Sequence, residues 1–184
     1  MTISLGNIVE IDQILALTRA CGQHMRDNGI DQWDADYPTR EILLQDLETE
    51  TLFAYRENDT VLGIVVLNET QDAKYADVEW STTDADRNIV VHRLAVKPDH
   101  QGMGIARQLM DFAEAWAVEN QYDAIRLDTF SQNTRNQRFY TNRGYRNLGP
   151  VYLKYKKDHP YFCYELRLSS GCPDQLTDAD APNS

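Results

Sequence analysis

The residue types that could carry chemistry are concentrated between positions 92 and 140. The stretch "HRLAVKPDHQGMGIARQLM", positions 92–110, places Gly102 and Gly104 directly before a helix-like run. Small residues there let backbone N–H groups approach an anion closely, and the following helix adds its free donors and the positive end of its dipole. The stretch predicts a phosphate or diphosphate site built from peptide amides. A tight strand-to-helix turn without a ligand would use the same glycines.

Two other phosphate-binding loops do not match this stretch. A Walker loop requires Gly-Lys-Ser/Thr, whereas this sequence has Gly104-Ile105-Ala106. A dinucleotide fingerprint requires a third glycine where Arg107 stands, and the strands before the loop look antiparallel. The pattern that remains is Q-x-x-G-x-A, which begins at Gln101.

A second motif follows at positions 133–145, "NTRNQRFYTNRGY". The two motifs together resemble the acetyl-coenzyme A binding motifs of the GNAT superfamily of N-acetyltransferases. Asn133 matches the asparagine of the family's second motif, and Phe139-Tyr140 matches its aromatic pair. Gly144-Tyr145 matches the closing pair, but Asn136 stands where the family usually has alanine. The resemblance covers about residues 3–168, and over the first third it rests on the order of elements.

This resemblance implies acetyl-CoA as a co-substrate, with a strand before the loop that splays open and pairs with the pantetheine arm. It implies the cofactor-binding residues Leu94, Ala95, Val96, Gln101, Gly102, Met103, Gly104, Ile105, Ala106, Arg107, Asn133 and Tyr140. No metal is expected, because Cys21 and His24 form half of a ligand pattern and no second pair follows.

The resemblance also implies direct attack by a primary amine in a ternary complex, with Tyr140 as the general acid for the departing thiolate. For the general base, His92 lies two residues before Leu94, so strand alternation predicts that both face the cofactor. Its ordinary pKa of about 6.5 suits proton removal at neutral pH. In arylalkylamine N-acetyltransferases a histidine precedes Leu-Ala-Val at this spacing. Glu79 and Asp128 are strand carboxylates that could serve instead through water.

The acceptor site is predicted in "GIDQWDADYP", positions 29–38, because that region commonly lines the acceptor pocket of the superfamily. Trp33 and Tyr37 could form an aromatic wall, the aspartates of this segment could attract a cationic amine, and Asp128 is a further candidate for binding the acceptor. The same residues are equally compatible with Trp33 packed in the core and the aspartates exposed to solvent. An aromatic amine, a polyamine, a peptide N-terminus or a lysine is compatible with this segment.

Other functions share the same motifs. A non-catalytic acyl-CoA binding or sensor module would keep the groove, and so would an acyltransferase with a different acyl donor or a hydroxyl acceptor. The motifs concern the phosphates and the pantetheine, so they leave the acyl end and the acceptor open.

The composition narrows the class of protein. The chain has 184 residues and a net charge of −11, with acidic residues concentrated before position 90. An acidic protein repels nucleic acid, so no nucleic-acid partner is expected. The N-terminus and the apolar runs resemble neither a signal peptide nor a membrane span, so we expect a cytoplasmic protein without a membrane partner, either a monomer or a homodimer.

The elements that must position these residues form one domain. Their predicted order is two helices, an antiparallel meander that includes "KYADVEW" (74–80), and then strand–loop–helix–strand–helix–strand. This order predicts an α/β (α+β) fold, a single mixed, mainly antiparallel twisted sheet flanked by helices, over residues 3–168. Residues 169–184 read as a polar acidic tail.

Overall fold

A seven-stranded mixed sheet organises the protein in a computed structural model that describes residues 1–34, 36–83, 85–153 and 158–168. The strand order is β1-β2-β3-β4-β5-β7-β6, and every neighbouring pair is antiparallel except β4 and β5. The predicted fold class is confirmed. The strands are β1 (Thr2–Leu5), β2 (Leu52–Glu57), β3 (Thr60–Asn68), β4 (Asn88–Val96), β5 (Ala124–Phe130), β6 (Arg146–Val151) and β7 (Tyr161–Arg167).

Four α-helices flank the sheet in the described part of the chain: α1 (Ile11–Asp27), α2 (Arg40–Glu48), α3 (Ile105–Glu119) and α4 (Thr134–Asn142). Helix α2 begins because the Thr39 hydroxyl accepts a hydrogen bond from the Ile42 amide at 3.3 Å, which satisfies one of the helix's free N–H groups. Among the described helices, none has the length and apolar character required to cross a membrane.

The two faces of the sheet carry separate apolar cores. Buried residues of α1 and α2, including Ile14 and Leu43, pack on one face. Buried residues of α3 and α4, including Leu109 and Tyr140, pack on the other. Burial of this kind contributes about 25 cal/mol to the free energy of folding per Å² of apolar surface removed from water. Because both faces are packed, the sheet is a rigid base for the loops at its edge.

The parallel pair splits partway along its length. β4 and β5 pair only where Asn88–Val91 lies against Ala124–Leu127, although both strands continue beyond those residues. A β-bulge lies at the same place, because Leu67 is opposite Val91 while Val66 is opposite Arg93, which leaves His92 as the extra residue. The split therefore exposes the edges of two strands in the middle of the sheet.

One predicted element is wrong. "KYADVEW" does not form a strand, and Ala73–Asp77 is instead a short 3₁₀ turn. The Asp72 side chain accepts a hydrogen bond from the Lys74 amide at 2.8 Å, and this cap favours a helical start over an extended one. Glu79 therefore does not lie on a strand. The predicted tail, 169–184, lies outside the described residues, and the domain boundary at 168 stays a prediction.

Candidate active site

A groove of about 770 Å³ lies between the end of β4, the glycine loop and the first turns of α3 and α4. It is lined by every residue that the sequence predicts for cofactor binding except Tyr140. α1 closes the groove from the other side with residues such as Cys21 and Met25. The residues that the sequence motifs predict therefore lie together along one groove.

The glycines of the loop have the backbone conformation that an amide-lined anion site requires. Gly102 and Gly104 have φ angles of 83° and 85°, in the left-handed region that other residues adopt only with strain. Gly104 is the N-cap of α3, where it has no side chain to occupy the first free N–H groups. The first turn of α3 contains no acidic residue either. These amides are left for an anionic ligand.

The loop is anchored by one glutamine. Gln101 Nε2 donates to the Val96 carbonyl at 3.1 Å, and Gln101 Oε1 accepts from Arg135 Nη1 at 2.9 Å. Arg107 and Arg135 both line the groove, so positive charge surrounds the exposed amides. Past Val91 the edge of β4 is free of β5, and its peptide groups can pair with an amide-bearing arm. The residues present fit a diphosphate joined to such an arm, which is the make-up of coenzyme A.

A second cavity of about 710 Å³ lies beyond the loop that joins α1 to α2. Its lining includes the predicted acceptor residues Trp33, Tyr37 and Asp128. Trp33 is also 7% exposed and packs in the core, so it has the core position, and its role in binding an acceptor stays a prediction. Gln32 and Trp33 line both cavities, so this pair of residues forms a wall that the two spaces share.

The bulge corrects the expected direction of His92. Leu94 packs with the core under α3 and lines the cofactor groove, whereas His92 and Arg93 line the second cavity. The extra residue breaks the two-residue alternation, so His92 does not share the side of Leu94. Burial, followed by the charge of Arg93, lowers the pKa of His92 to about 4, although a hydrogen bond with the Thr70 backbone opposes the shift. Its Nε2 atom is buried and has no hydrogen-bond partner in the described part of the chain.

Asp128 lies at the start of the split on the β5 side, one residue beyond the last parallel pair. The Tyr75 hydroxyl donates to Asp128 Oδ2 at 2.7 Å. Burial raises the pKa of Asp128 to about 6; the bond from Tyr75 lowers it and the neighbouring Asp72 raises it further. This carboxyl can exchange a proton near neutral pH, which is the property that a general base requires.

Two predicted catalytic residues lie elsewhere. Tyr140 is 4% exposed and is outside the described lining of both cavities. It packs against Tyr145 and Tyr164, at ring-centroid distances of 5.8 and 6.0 Å. Burial, followed by the charge of Asp128, raises the pKa of Tyr140, so the phenol lies near the split and stays protonated. Glu79 is exposed and is likewise outside the described lining of both cavities.

Several site residues gave no signal in the sequence. Arg93 Nη1 forms an ion pair with Asp46 Oδ2 at 2.6 Å inside the second cavity. Gln32 Oε1 accepts from Asn133 Nδ2 at 2.9 Å, and this bond ties the shared wall to the cap of α4. The bonded partners are 47 and 101 positions apart in the chain, so no local spacing could have revealed them.

The fold and the two cavities define an α/β protein with a groove that fits an anionic, phosphate-bearing ligand and with a second, acidic cavity. The chain belongs to the acetyltransferase (GNAT) family, whose family model matches residues 14–145.

Individual relatives agree with this assignment. Streptothricin acetyltransferase of Escherichia coli is 32% identical over 91 residues, which are 50% of this chain and 51% of that protein, so the match spans about half of the curated relative. A GNAT acetyltransferase from Streptococcus agalactiae superposes with a TM-score of 0.78 at 22% identity, over 91% of this chain and 95% of that one. The structure of yncA from Salmonella typhimurium, solved with acetyl-CoA, superposes with a TM-score of 0.68 at 18% identity. The match covers 100% of this chain and 98% of that one. At these identities the two structures show a shared fold.

Proposed function

We propose that the protein transfers the acetyl group of acetyl-CoA to a primary amine on a cationic acceptor. The observation that carries this proposal is that the two cavities share Gln32 and Trp33 and that β4 lines both, with 94–96 in the groove and 91–93 in the second cavity. A donor in the groove and an acceptor in the second cavity would meet end to end there. This geometry supports direct transfer in a ternary complex.

On the donor side, acetyl-CoA supplies an activated thioester. The amides between Gly102 and Arg107 would take the diphosphate at the start of α3. The free edge of β4 from Leu94 to Val96 would pair with the pantetheine arm. Peptide N–H groups of that edge would also stabilise the negative charge that develops on the carbonyl oxygen.

On the acceptor side, the described lining favours a cation. Aspartates at positions 34, 46, 72 and 128 outnumber the single arginine, Arg93, which is already paired with Asp46. Aromatic rings of Trp33, Tyr37 and Tyr75 supply faces that attract ammonium groups. The acceptor of the Escherichia coli relative is streptothricin by its name, and we include that compound among the candidates.

Asp128 is the proton acceptor that the geometry favours. The nitrogen of the amine forms a bond to the carbonyl carbon of the thioester, and its proton passes to the Asp128 carboxylate. With a pKa of about 6, Asp128 is ionised at neutral pH and is better matched to this step than His92, whose pKa of about 4 makes it a weaker base. The bond between carbonyl carbon and sulfur then breaks and the thiolate takes up a proton; Tyr140 stays the predicted donor by resemblance, although it lies outside the described lining of both cavities.

The experiment that tests this proposal follows free thiol release from acetyl-CoA across a panel of acceptors. The panel contains streptothricin, a polyamine, free lysine, a peptide with a free N-terminus and a neutral alcohol. We expect release with one or more cationic amines and an acetylated product of matching mass. Binding of acetyl-CoA without release for any compound would instead support a sensor module, and release with the alcohol alone would support a hydroxyl acceptor.

A further inference from the structure

A buried ion pair lies two residues along β5 from Asp128. Arg126 and Glu165 are opposite each other on β5 and β7, and each is 2% exposed. Arg126 Nε lies 3.2 Å from Glu165 Oε1. Replacing such a pair by apolar residues of similar volume is often neutral or stabilising, so fold stability alone gives little reason for charges at this position.

The pair holds both ends of the segment 71–82, which carries the 3₁₀ turn over this part of the sheet. At one end, Arg126 Nη1 donates to Gln71 Oε1 at 2.7 Å. At the other end, Arg126 Nη2 donates to the Thr82 carbonyl at 3.2 Å, and the Ser81 amide donates to Glu165 Oε2 at 2.9 Å. The Ser81 hydroxyl also donates to Glu165. One guanidinium and one carboxylate therefore fix both ends of the segment.

The middle of the segment connects the ion pair to the acceptor site. The Arg126 guanidinium lies 4.3 Å from the centre of the Trp80 ring. Trp80 Nε1 donates to the Tyr75 carbonyl at 2.8 Å, and the Tyr75 hydroxyl donates to Asp128 at 2.7 Å. An unbroken set of contacts thus runs from Arg126 through Trp80 and Tyr75 back to the second cavity.

We infer that Arg126, paired with Glu165, is a positioning residue for the acceptor half of the reaction, because it holds the segment 71–82 and thereby Tyr75 against Asp128. This inference rests on the proposed role of Asp128. It assigns a function to a buried pair that touches neither substrate.

The environment of Asp128 sets the direction of the expected change. Burial is the largest cause of its raised pKa, and Tyr75 of the segment contacts the carboxyl directly. Loosening the segment lets water reach the carboxyl and also loses the bond from Tyr75; because burial is the larger of these two opposing causes, the acidic limb of the pH–rate profile moves to lower pH. Removing only the hydroxyl of Tyr75 takes away a bond that lowers the pKa, so the limb moves to higher pH. The titratable groups coupled to Asp128 are Tyr75, Asp72, Tyr37, Tyr140 and Cys163.

The test compares Arg126→Gln, Arg126→Lys and Trp80→Phe with Tyr75→Phe in steady-state kinetics of the full chain against pH, using the best amine of the panel. For the Arg126→Gln and Trp80→Phe variants we expect kcat/KM for the acceptor to fall about tenfold or more, while KM for acetyl-CoA stays within about twofold. Their acidic limbs should move to lower pH and that of Tyr75→Phe to higher pH. Arg126→Lys, which keeps the charge but not the planar fork, should be intermediate.

The matched control is Arg56→Gln. Arg56 forms a largely buried ion pair with Glu10 at 2.6 Å near the β1 edge of the sheet, so its loss should lower stability without moving the limb. Trp80→Phe keeps an aromatic ring. If Arg126→Gln does not fold, this variant still tests whether the contacts from Arg126 position Tyr75. A wild-type acidic limb together with an unchanged acceptor KM in Trp80→Phe would overturn the inference. Asp128→Asn, measured in parallel, separates the two ideas: if it keeps the wild-type limb and rate, the proposed base is wrong.

Discussion

The groove proposed for acetyl-CoA and the second cavity, which is the acceptor cavity of the proposed reaction, are built in different ways. The groove takes most of its lining from two short stretches, 94–107 and 133–139, and presents backbone amides. The cavity takes its lining from the α1–α2 loop, α2, β4, β5, β7 and the segment 71–82, and presents side chains. A ligand held by peptide groups requires a particular local conformation, which a few neighbouring residues specify. A ligand held by side chains requires that distant elements meet.

This difference suggests that the groove serves a donor common to the whole family, while the cavity serves an acceptor particular to this protein. Single side chains of the cavity can be substituted without disturbing the backbone. The glycines of the loop cannot, because their left-handed conformation disfavours other residues. Changes in the two regions should therefore affect different kinetic constants, and the predictions that follow use this contrast.

The largest effect is expected for Asp128→Asn. The amide cannot accept a proton at neutral pH, so we expect kcat to fall by about 10²–10³-fold, in the range usual for a general base. KM for acetyl-CoA should stay close to the wild-type value, because Asp128 lines only the acceptor cavity. Steady-state kinetics with both substrates varied would show this. An equal loss in acetyl-CoA affinity would contradict the separation of the two sites.

The same variant should be more stable than the wild type above neutral pH. The folded pKa of Asp128 is raised from 3.8 to about 6, so the folded state holds its proton more tightly than the unfolded state does. The ionised carboxyl therefore costs stability, increasingly as pH rises between those two values and fully above them. Urea titrations at pH 7.5 should show a gain of about 1–3 kcal/mol for Asp128→Asn. Below pH 4 the gain should vanish, and a gain that persists there would disprove this account of the pKa.

On the groove side, Gly104→Ala should weaken acetyl-CoA binding by about tenfold. The added methyl group has room, since its nearest neighbour is a flexible Arg107 nitrogen at 3.7 Å. The cost arises from the φ angle of 85°, which disfavours any other residue by about 1–2 kcal/mol. Calorimetric titration with acetyl-CoA would measure the loss. Gly149→Ala, at a positive φ on β6, is the control and should leave the affinity unchanged.

The smallest effect is expected for His92→Gln. His92 is neutral at neutral pH and lines only the acceptor cavity, so we expect a loss in kcat of less than about tenfold. Its acidic limb should remain near that of the wild type, because the limb belongs to Asp128. A pH–rate profile with the amine would identify which residue is the base. If the acidic limb is lost in His92→Gln but kept in Asp128→Asn, His92 is the base.

The predicted elements show why the groove, one half of the site, can be predicted from the sequence. A helix cap such as Thr39 and the tight turn between β2 and β3 depend on neighbouring residues, so a local stretch of sequence is enough to indicate them. The groove depends on the same kind of local preference. The predicted side of the strand for His92 is wrong because a β-bulge depends on how two strands pair, which the local sequence does not show. The predicted strand at Ala73–Asp77 is wrong because the Asp72 side chain caps a 3₁₀ turn within a strand-like pattern.

By itself, the sequence determined that glycines at 102 and 104 precede a helix, and it predicted an anion site at that turn. The tertiary structure alone decided that β4 parts from β5 after Val91 and that Tyr75 reaches Asp128 from 53 positions away. Local preferences are encoded in adjacent residues, where each can be recognised. A proton acceptor with a raised pKa depends on burial, and burial exists only once the chain has packed.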